Sequence, residues 1–384
     1  MREGSDEWRE ERAALLTLSR VEGVGPGTLS VWKRQFGTFR SLWSLSEVEI
    51  ASGLGQRGTM LAGRIVDARR RGPEGANLEE WTPYGAMWTT TLLDPDYPGR
   101  LRSLRDAPWV LYGVGNPGVL KDDLPALAVV GTRRPTMVGR RVARLWSADL
   151  ARRGVVIVSG LARGIDGLAH MGALEGGGRT IAVLAGGFHH LYPPEHRSLA
   201  AAVARSGALI SEQPPHCQPR PGLFPIRNRI ISGLAEGVLV VEAGATSGAL
   251  KTVDHALDQG RDVFAVPGSV AIEASRGTNL LIRDGAKPAM SPDDVAAEYP
   301  HWPAALAASA DGEIENQVPR RTVDSDSRRV LAALEEGCRT PDLIAGRTGL
   351  RLEHISRVLT DLELAGRIYR EPGGLYGVVP FWRG

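Results

Sequence analysis

Val129–Gly139 reads VVGTRRPTMVG, Ile157–His170 reads IVSGLARGIDGLAH, Phe224–Thr252 reads FPIRNRIISGLAEGVLVVEAGATSGALKT, and Val263–Gly268 reads VFAVPG. In each piece an apolar run of strand length meets a loop of small residues, and in most the chain then continues into a helical pattern. Strands are expected at Ala126–Val130, Val155–Ser159, Ile181–Leu184, Ala208–Ser211, Val238–Glu242 and Val263–Val266. Helical stretches such as Gly139–Arg153 and Ser247–Gln259 lie between them. Alternation of β and α at this spacing predicts an α/β fold with a parallel, doubly wound sheet. The loops that follow the strands then gather along one edge, where such sheets bind ligands.

Working outward, the 384 residues divide into three zones joined by one linker. Residues 1–80 read as a helical domain with glycine turns at Gly23–Gly27 and Gly53–Gly58, similar to a SAM or helix-hairpin-helix module. Such turns expose backbone N–H groups that can hold a phosphate, although cationic residues are sparse here and a packing role is equally open. Residues 86–298 carry the α/β pattern, and 299–325 is a linker rich in Pro, Ala, Asp and Ser. Residues 326–384 read as three helices and a hairpin across Pro372–Gly374, which resembles a winged helix. Its third helix carries Arg351, His354, Arg357 and Arg367 among Glu353, Asp361 and Glu363. That mixture suits either duplex DNA or a protein partner.

The composition sets bounds. No apolar run reaches the roughly 18 residues needed to span a bilayer. The N-terminus MREGSDEWREER has no apolar signal segment. Two distant cysteines, Cys217 and Cys338, suit a reducing cytoplasm and make no metal motif. The net charge is only +2, so any basic surface is local. The 42 arginines against four lysines reflect GC-rich codon usage first, but arginine is also the better bidentate phosphate ligand.

Four loops carry candidate binding residues. Gly131, Thr132, Arg133 and Arg134 follow the first strand; glycine lets the backbone approach a ligand and the arginines add charge-assisted bonds. The spacing is not GxGxxG, so a dinucleotide is not implied. Ser159 and Gly160 follow the second strand, and Asp166 and His170 share a helix face at i, i+4. That pair reads either as an acid–base couple or, more simply, as a backbone anchor with a packed histidine beneath it. In the third segment Phe224 can stack a base or pack in the core, and Ile226, Ile230 and Leu234 are expected as a buried stripe. Arg227 and Arg229 are about 200° apart on a helix, so one of them faces away from the ligand edge and makes a structural pair. Arg227 or Asn228 is expected to face the ligand.

The fourth loop, Gly244–Thr252, places three residues between its glycines and two more before Lys251, which is not P-loop spacing. Ser247 and Gly248 at a helix start still suit a phosphate. His189, His190 and His196 lack the companions of a metal site. No catalytic, cofactor or metal residues are assigned.

Together with Asp96-Tyr97-Pro98, Ala107–Tyr112, YPPEH at Tyr192, Ser211-Glu212 and GTNLLIRDGA at Gly277, these motifs resemble the DprA/Smf family of bacterial DNA-processing proteins. The match covers the second zone, and the flanking zones also occur in the family. The resemblance implies an extended Rossmann fold that binds single-stranded DNA, forms homodimers, protects incoming strands, and loads RecA past single-strand-binding protein without catalysis. Carried over by motif, the DNA pocket involves Arg133, Ser159, Gly160, Phe224, Arg227, Asn228 and Lys251. His196 departs from the family, where many relatives have Asn after the Tyr-Pro pair. Two rivals are a nucleotide-sensing winged-helix regulator and a nucleoside-monophosphate N-glycosidase. The second needs PGGxGTxxE, and EAGATSGALKT lacks its paired glycines and its Glu.

Overall fold

The computed structural model describes residues 4–53, 58–70, 81–302, 325–364, 368–370 and 374–378. The chain forms two compact units, Met1–Ala308 and Ser309–Gly384.

The first unit begins with four helices, α1 (Asp6–Ser19), α2 (Pro26–Phe36), α3 (Glu47–Gly53) and α4 (Gly58–Arg70). The Ser5 side chain caps α1 by accepting from the Trp8 N–H, and Pro26 opens α2 where no donor is needed. Strands β1 (Trp81–Thr82) and β2 (Gly85–Thr91), helix α5 (Gly99–Arg102) and strand β3 (Val110–Gly115) follow. The α/β series then runs β4 (Ala126–Val130), α6 (Met137–Arg152), β5 (Val156–Ser159), α7 (Ile165–Glu175), β6 (Thr180–Leu184), α8 (Arg197–Ser206) and β7 (Ala208–Ser211). It continues through α9 (Leu223–Leu234), β8 (Gly237–Val240), α10 (Leu250–Asp258), β9 (Asp262–Ala265), α11 (Arg276–Arg283), β10 (Lys287–Pro288) and α12 (Pro292–Ala296).

All ten strands join one sheet in the order β1-β2-β3-β7-β6-β5-β4-β8-β9-β10. From β7 to β10 every pairing is parallel. Strands β4 to β7 wind one way and β8 to β10 the other, so the winding reverses between β4 and β8. Each central strand is buried on both faces, and its side chains still alternate. Ala126, Ala128 and Val130 pack with Ile230, Ile231 and Leu234 of α9. Leu127 and Val129 pack with Trp146 and Leu150 of α6 and Ala169 and Ala173 of α7 on the other face.

Three expectations need correction here. The sheet also contains β1 to β3, paired antiparallel at the β7 edge. The helical first zone is not a separate compact unit: Leu15, Trp32 and Leu42 share a core with Tyr112, Val114 and Leu209. Arg12 Nε reaches the Asp94 carboxylate at 3.0 Å, and Trp109 Nε1 donates to Ser30 Oγ at 2.8 Å. The expected boundary near residue 80 thus marks a change of architecture within one core. The linker also starts later than residue 299, because Tyr299 and Trp302 stack on each other and are buried. In the first zone, residues 54–57 of the second glycine turn lie outside the described residues.

The second unit contains α13 (Ser325–Glu335), α14 (Pro341–Thr348), α15 (Leu352–Leu364) and the antiparallel pair β11 (Ile368–Arg370) and β12 (Tyr376–Val378). Its core gathers Val330, Leu334, Ile344, Ile355, Leu359 and Ile368. Thr340 caps α14, and Gly349 ends it in the left-handed conformation. On α15, Arg357 donates to His354, whose other ring nitrogen meets Asp326 at 2.8 Å. Two of its basic residues are therefore engaged within the unit. Arg367 and residues 371–373 of the hairpin turn lie outside the described residues.

Candidate nucleic-acid interface

At the winding reversal, beyond the C-terminal ends of β4, β5 and β8, lies a cavity of about 760 Å³. Doubly wound sheets bind ligands at this position because the loops on either side diverge there. The walls come from the loops after β4, β5 and β8, from the start of α9, and from the loop that carries Tyr192.

The loop after β4 is held at both ends by one residue. Thr132 N–H donates to the Glu242 carbonyl (2.7 Å), and Thr136 donates through its N–H (2.7 Å) and hydroxyl (2.8 Å) to the Glu242 carboxylate. Gly139 admits that carboxylate, since a Cβ there would lie 2.5 Å from it. The start of α6 thus already holds an anion, and it belongs to the protein. The phosphate that a dinucleotide would place at this helix N-terminus has no vacant position. Glu242 was not singled out in the sequence; a carboxylate ending the apolar run VLVV was the available signal.

Clamped in this way, the loop presents Arg133 and Arg134 to solvent. Arg133 lies over the Phe224 ring at 5.6 Å in the cavity wall. Gly131 also lines the cavity, and its close packing leaves no room for a side chain, because a Cβ would lie 2.6 Å from Ile165. Thr132 and Arg134 flank the cavity without lining it.

Beneath Arg133, Arg227 is 6% exposed and spans the cavity floor. Its Nη1 donates to the carbonyls of Gly160 (2.7 Å) and Val183. Burial pushes the guanidinium pKa down to about 10, with Asp166 acting against that shift. Asp166 is itself buried in the cavity wall. Burial raises its carboxyl pKa, while Arg227, the backbone N–H groups at Ala162 and Gly160, and Arg133 act to lower it. One turn along α7, His170 is fully buried, with Nδ1 2.7 Å from Thr180 Oγ1 and no hydrogen bond to Asp166. The two residues form no acid–base couple.

Several site expectations change. Ser159 is fully buried and donates to the Val129 carbonyl at 2.7 Å, so its side chain joins two strands instead of facing a ligand. Gly160 contributes a carbonyl and space to Arg227 and does not line the cavity. Arg229 is 4% exposed and pairs with Glu212 (2.7 Å) and Asp106 (3.0 Å); it is the structural arginine of the two. Ile226 is 47% exposed, because the first turn of α9 projects beyond the sheet edge; only Ile230 and Leu234 continue the stripe inside. Helix α10 begins at Leu250, so Ser247 and Gly248 lie in the turns before it.

The remaining candidates converge. Phe224, Arg227, Asn228, Ser247, Gly248 and Lys251 line the cavity with Gly131 and Arg133. Lys251 is exposed, and its ammonium donates to Asp254 one turn along α10 (3.1 Å). Sequence reasoning placed no role on Tyr192 or Arg163. Tyr192 lines the cavity and meets the Phe224 ring edge-to-face at 5.8 Å, and Arg163 lies over Tyr192 at 5.7 Å. His189, His190 and His196 do not gather: His189 stacks on His216, and His196 Nδ1 is 2.9 Å from the Leu161 carbonyl.

The fold and site define an α/β protein with a cationic, aromatic-walled cavity at the switch point of its sheet. Residues 88–300 match the family model described as DNA recombination-mediator protein A, and residues 315–374 match the DprA winged helix domain. The chain is 34% identical to Protein Smf of Synechocystis over 95% of its own length and 98% of that protein's. It is 40% identical to Protein Smf of Escherichia coli, over 72% of this chain and 74% of that one. The crystal structure of DNA processing protein A from Streptococcus pneumoniae superposes with a TM-score of 0.63 at 35% identity, covering 75% of this chain and 97% of that one. A Helicobacter pylori DNA processing protein A, solved to describe its single-stranded DNA binding mode, gives a TM-score of 0.50 at 30% identity, over 55% and 94% of the two chains. The chain belongs to the DprA/Smf family of DNA-processing proteins. Among the described residues no helix is long and apolar enough to cross a membrane.

Proposed function

We propose that this chain binds single-stranded DNA in the switch-point cavity. The observation that carries the reading is the placement of Arg133 over Phe224 in the cavity wall. A cation for the phosphate and a ring for the base then stand within one nucleotide of each other. Lys251 supplies a second exposed cation across the cavity, and Asn228 and the turn at Ser247–Gly248 add polar groups. Contacts of this kind hold the backbone and stack on any base, so binding is sequence-tolerant and falls with salt. The cavity volume is within the roughly 300–1,000 Å³ of ordinary ligand sites. Arg227 and Asp166 form its floor and set its shape.

In this reading the protein protects incoming strands in the bacterial cytoplasm and is not an enzyme. It works as a homodimer and passes the strand to RecA in the presence of single-strand-binding protein. Family membership supports these wider assignments. A dimer offers two cavities, so strands long enough to reach both gain affinity through effective concentration.

The test is fluorescence anisotropy with labelled oligo-dT and its duplex, at low and high salt, for wild type and Arg133→Ala/Lys251→Ala. The expected result is salt-sensitive single-strand binding that the double variant makes far more weakly, with the salt slope smaller by about 1.4. Duplex preference, or binding that the double variant keeps, would move the DNA site to a flanking zone.

A further inference from the structure

Tyr192 is 42% exposed at the mouth of the cavity, an unusual position for a ring with packed partners on two sides. Its edge-to-face contact with Phe224 joins it to the cavity wall, and Arg163 stands over it. The four side chains thus follow one another as Arg163, Tyr192, Phe224 and Arg133, an arginine at each end and two aromatic rings between. Arg133 makes no ion pair with any described residue, whereas Arg163 is paired with Glu195, both about half exposed. The row is rigidly mounted. His196 Nδ1 meets the Leu161 carbonyl, tying the Tyr192 loop to the loop that carries Arg163. On the other side, Gly187 N–H donates to the Cys217 carbonyl and His189 N–H to the Pro215 carbonyl.

We propose that Tyr192 is a second base-stacking position, at the mouth of the cavity, and that Arg163 is a reserve phosphate ligand which Glu195 holds until a strand arrives. The proposal rests on the single-strand reading above and extends it by one nucleotide. A cation and an aromatic ring side by side repeat the Arg133–Phe224 arrangement, so the chemistry that suits one nucleotide at the wall suits the next at the rim. Exposed ion pairs contribute little to stability, so exchanging Glu195 for a phosphate costs the fold almost nothing. Glu195 then works as a competitor for the strand: it keeps a free cation off the rim and lowers affinity for anions too short to reach Tyr192.

The experiment is anisotropy with labelled pentathymidylate, competed with thymidine 5′-monophosphate, for wild type, Tyr192→Ala, Tyr192→Phe, Arg163→Ala, Glu195→Gln and the Glu195→Gln/Arg163→Ala pair. Tyr192→Ala is expected to weaken pentathymidylate binding about tenfold and the monophosphate's affinity far less, and Tyr192→Phe to bind as wild type. Glu195→Gln is expected to tighten pentathymidylate binding several-fold at low salt and to steepen the salt slope by about 0.7. That gain is expected to vanish without Arg163. Full retention of binding by Tyr192→Ala, or a Glu195→Gln gain that persists without Arg163, would overturn the platform alone. So would a Glu195→Gln protein that binds as wild type, a substitution that disturbs only an exposed pair. Failure of the wild type to bind the strand at all would overturn the single-strand reading and the platform with it.

Discussion

The guanidinium of Arg227 reaches the carbonyl of Gly160, 67 positions away in the chain, at 2.7 Å. It arrives because Gly160 has no side chain: a Cβ there would lie 2.4 Å from Nη1. This contact makes the floor of the cavity, and it joins the loop after β5 to the start of α9.

Gly160→Ala is therefore expected to displace Arg227 and to strip a buried charge of its partners, at about 3 kcal/mol of stability. Arg227→Met is expected to cost a similar amount. Because both act on one contact, the double variant should cost much less than the sum. Urea denaturation of the two single variants and the pair measures this. Additive losses would show that the two residues act independently.

Arg229 was a DNA candidate on sequence and is a buried ion-pair residue in the structure. Arg229→Ala leaves Glu212 buried without its partner and is expected to cost about 3–5 kcal/mol. Folded protein should still bind oligo-dT with wild-type affinity. Denaturation and anisotropy on the same sample separate the two effects, and a stable variant with weakened binding would return Arg229 to the DNA surface.

Glu242 fixes the arginine loop through two bonds to Thr136. Glu242→Gln keeps one acceptor and presents an NH₂ group where the other oxygen was. A loss of about 1–2 kcal/mol is expected, because two charge-assisted bonds become neutral ones and the Thr136 hydroxyl must turn from donor to acceptor. Strand affinity should fall several-fold while the salt slope stays constant, because Arg133 remains present but is no longer held in place. A reduced slope would mean that a phosphate contact itself was lost.

His170 sets a pH dependence. Burial first, then the positive fields of His196 and Arg227, lower its pKa from 6.5 to about 3. The unfolded chain binds this proton in the interval where the folded chain does not, so stability rises with pH there. The contribution is fully present above about pH 6.5. It is lost at about 1.4 kcal/mol per unit as pH falls toward 3. Urea midpoints between pH 7.5 and 5 should decline in the wild type, and the decline should be shallower in His170→Asn. Equal slopes in the two proteins would assign the decline to other groups.

How much was legible in the sequence follows from which forces are local. Ala126–Val130 and Ala208–Ser211 were read with their observed bounds, because five apolar residues in the one, and three closed by Ser211 in the other, leave few alternatives between turn signals. Strands β2 and β3 were missed. VLYGVG is a short run with no alternation visible in its residue types, and GAMWTTT owes its conformation to pairing with it, not to its own pattern. The glycine and arginine loops marked a candidate surface for anions, since glycine content and charge are properties of the residues themselves.

What the sequence by itself determined was the alternation of strand and helix, the edge of the sheet where the loops gather, and the residue types that those loops bring there. Residue types and their spacing carry that information. Which arginine faces the cavity was decided only in three dimensions. Arg227 and Arg229 are two positions apart on one helix and differ in what the rest of the chain brings to them: two carbonyls in the cavity floor for one, Glu212 and Asp106 for the other. The same holds for Glu242 at the start of α6 and for Tyr192 beside Phe224. A buried charge takes its role from partners distant in sequence, and no local pattern records those partners.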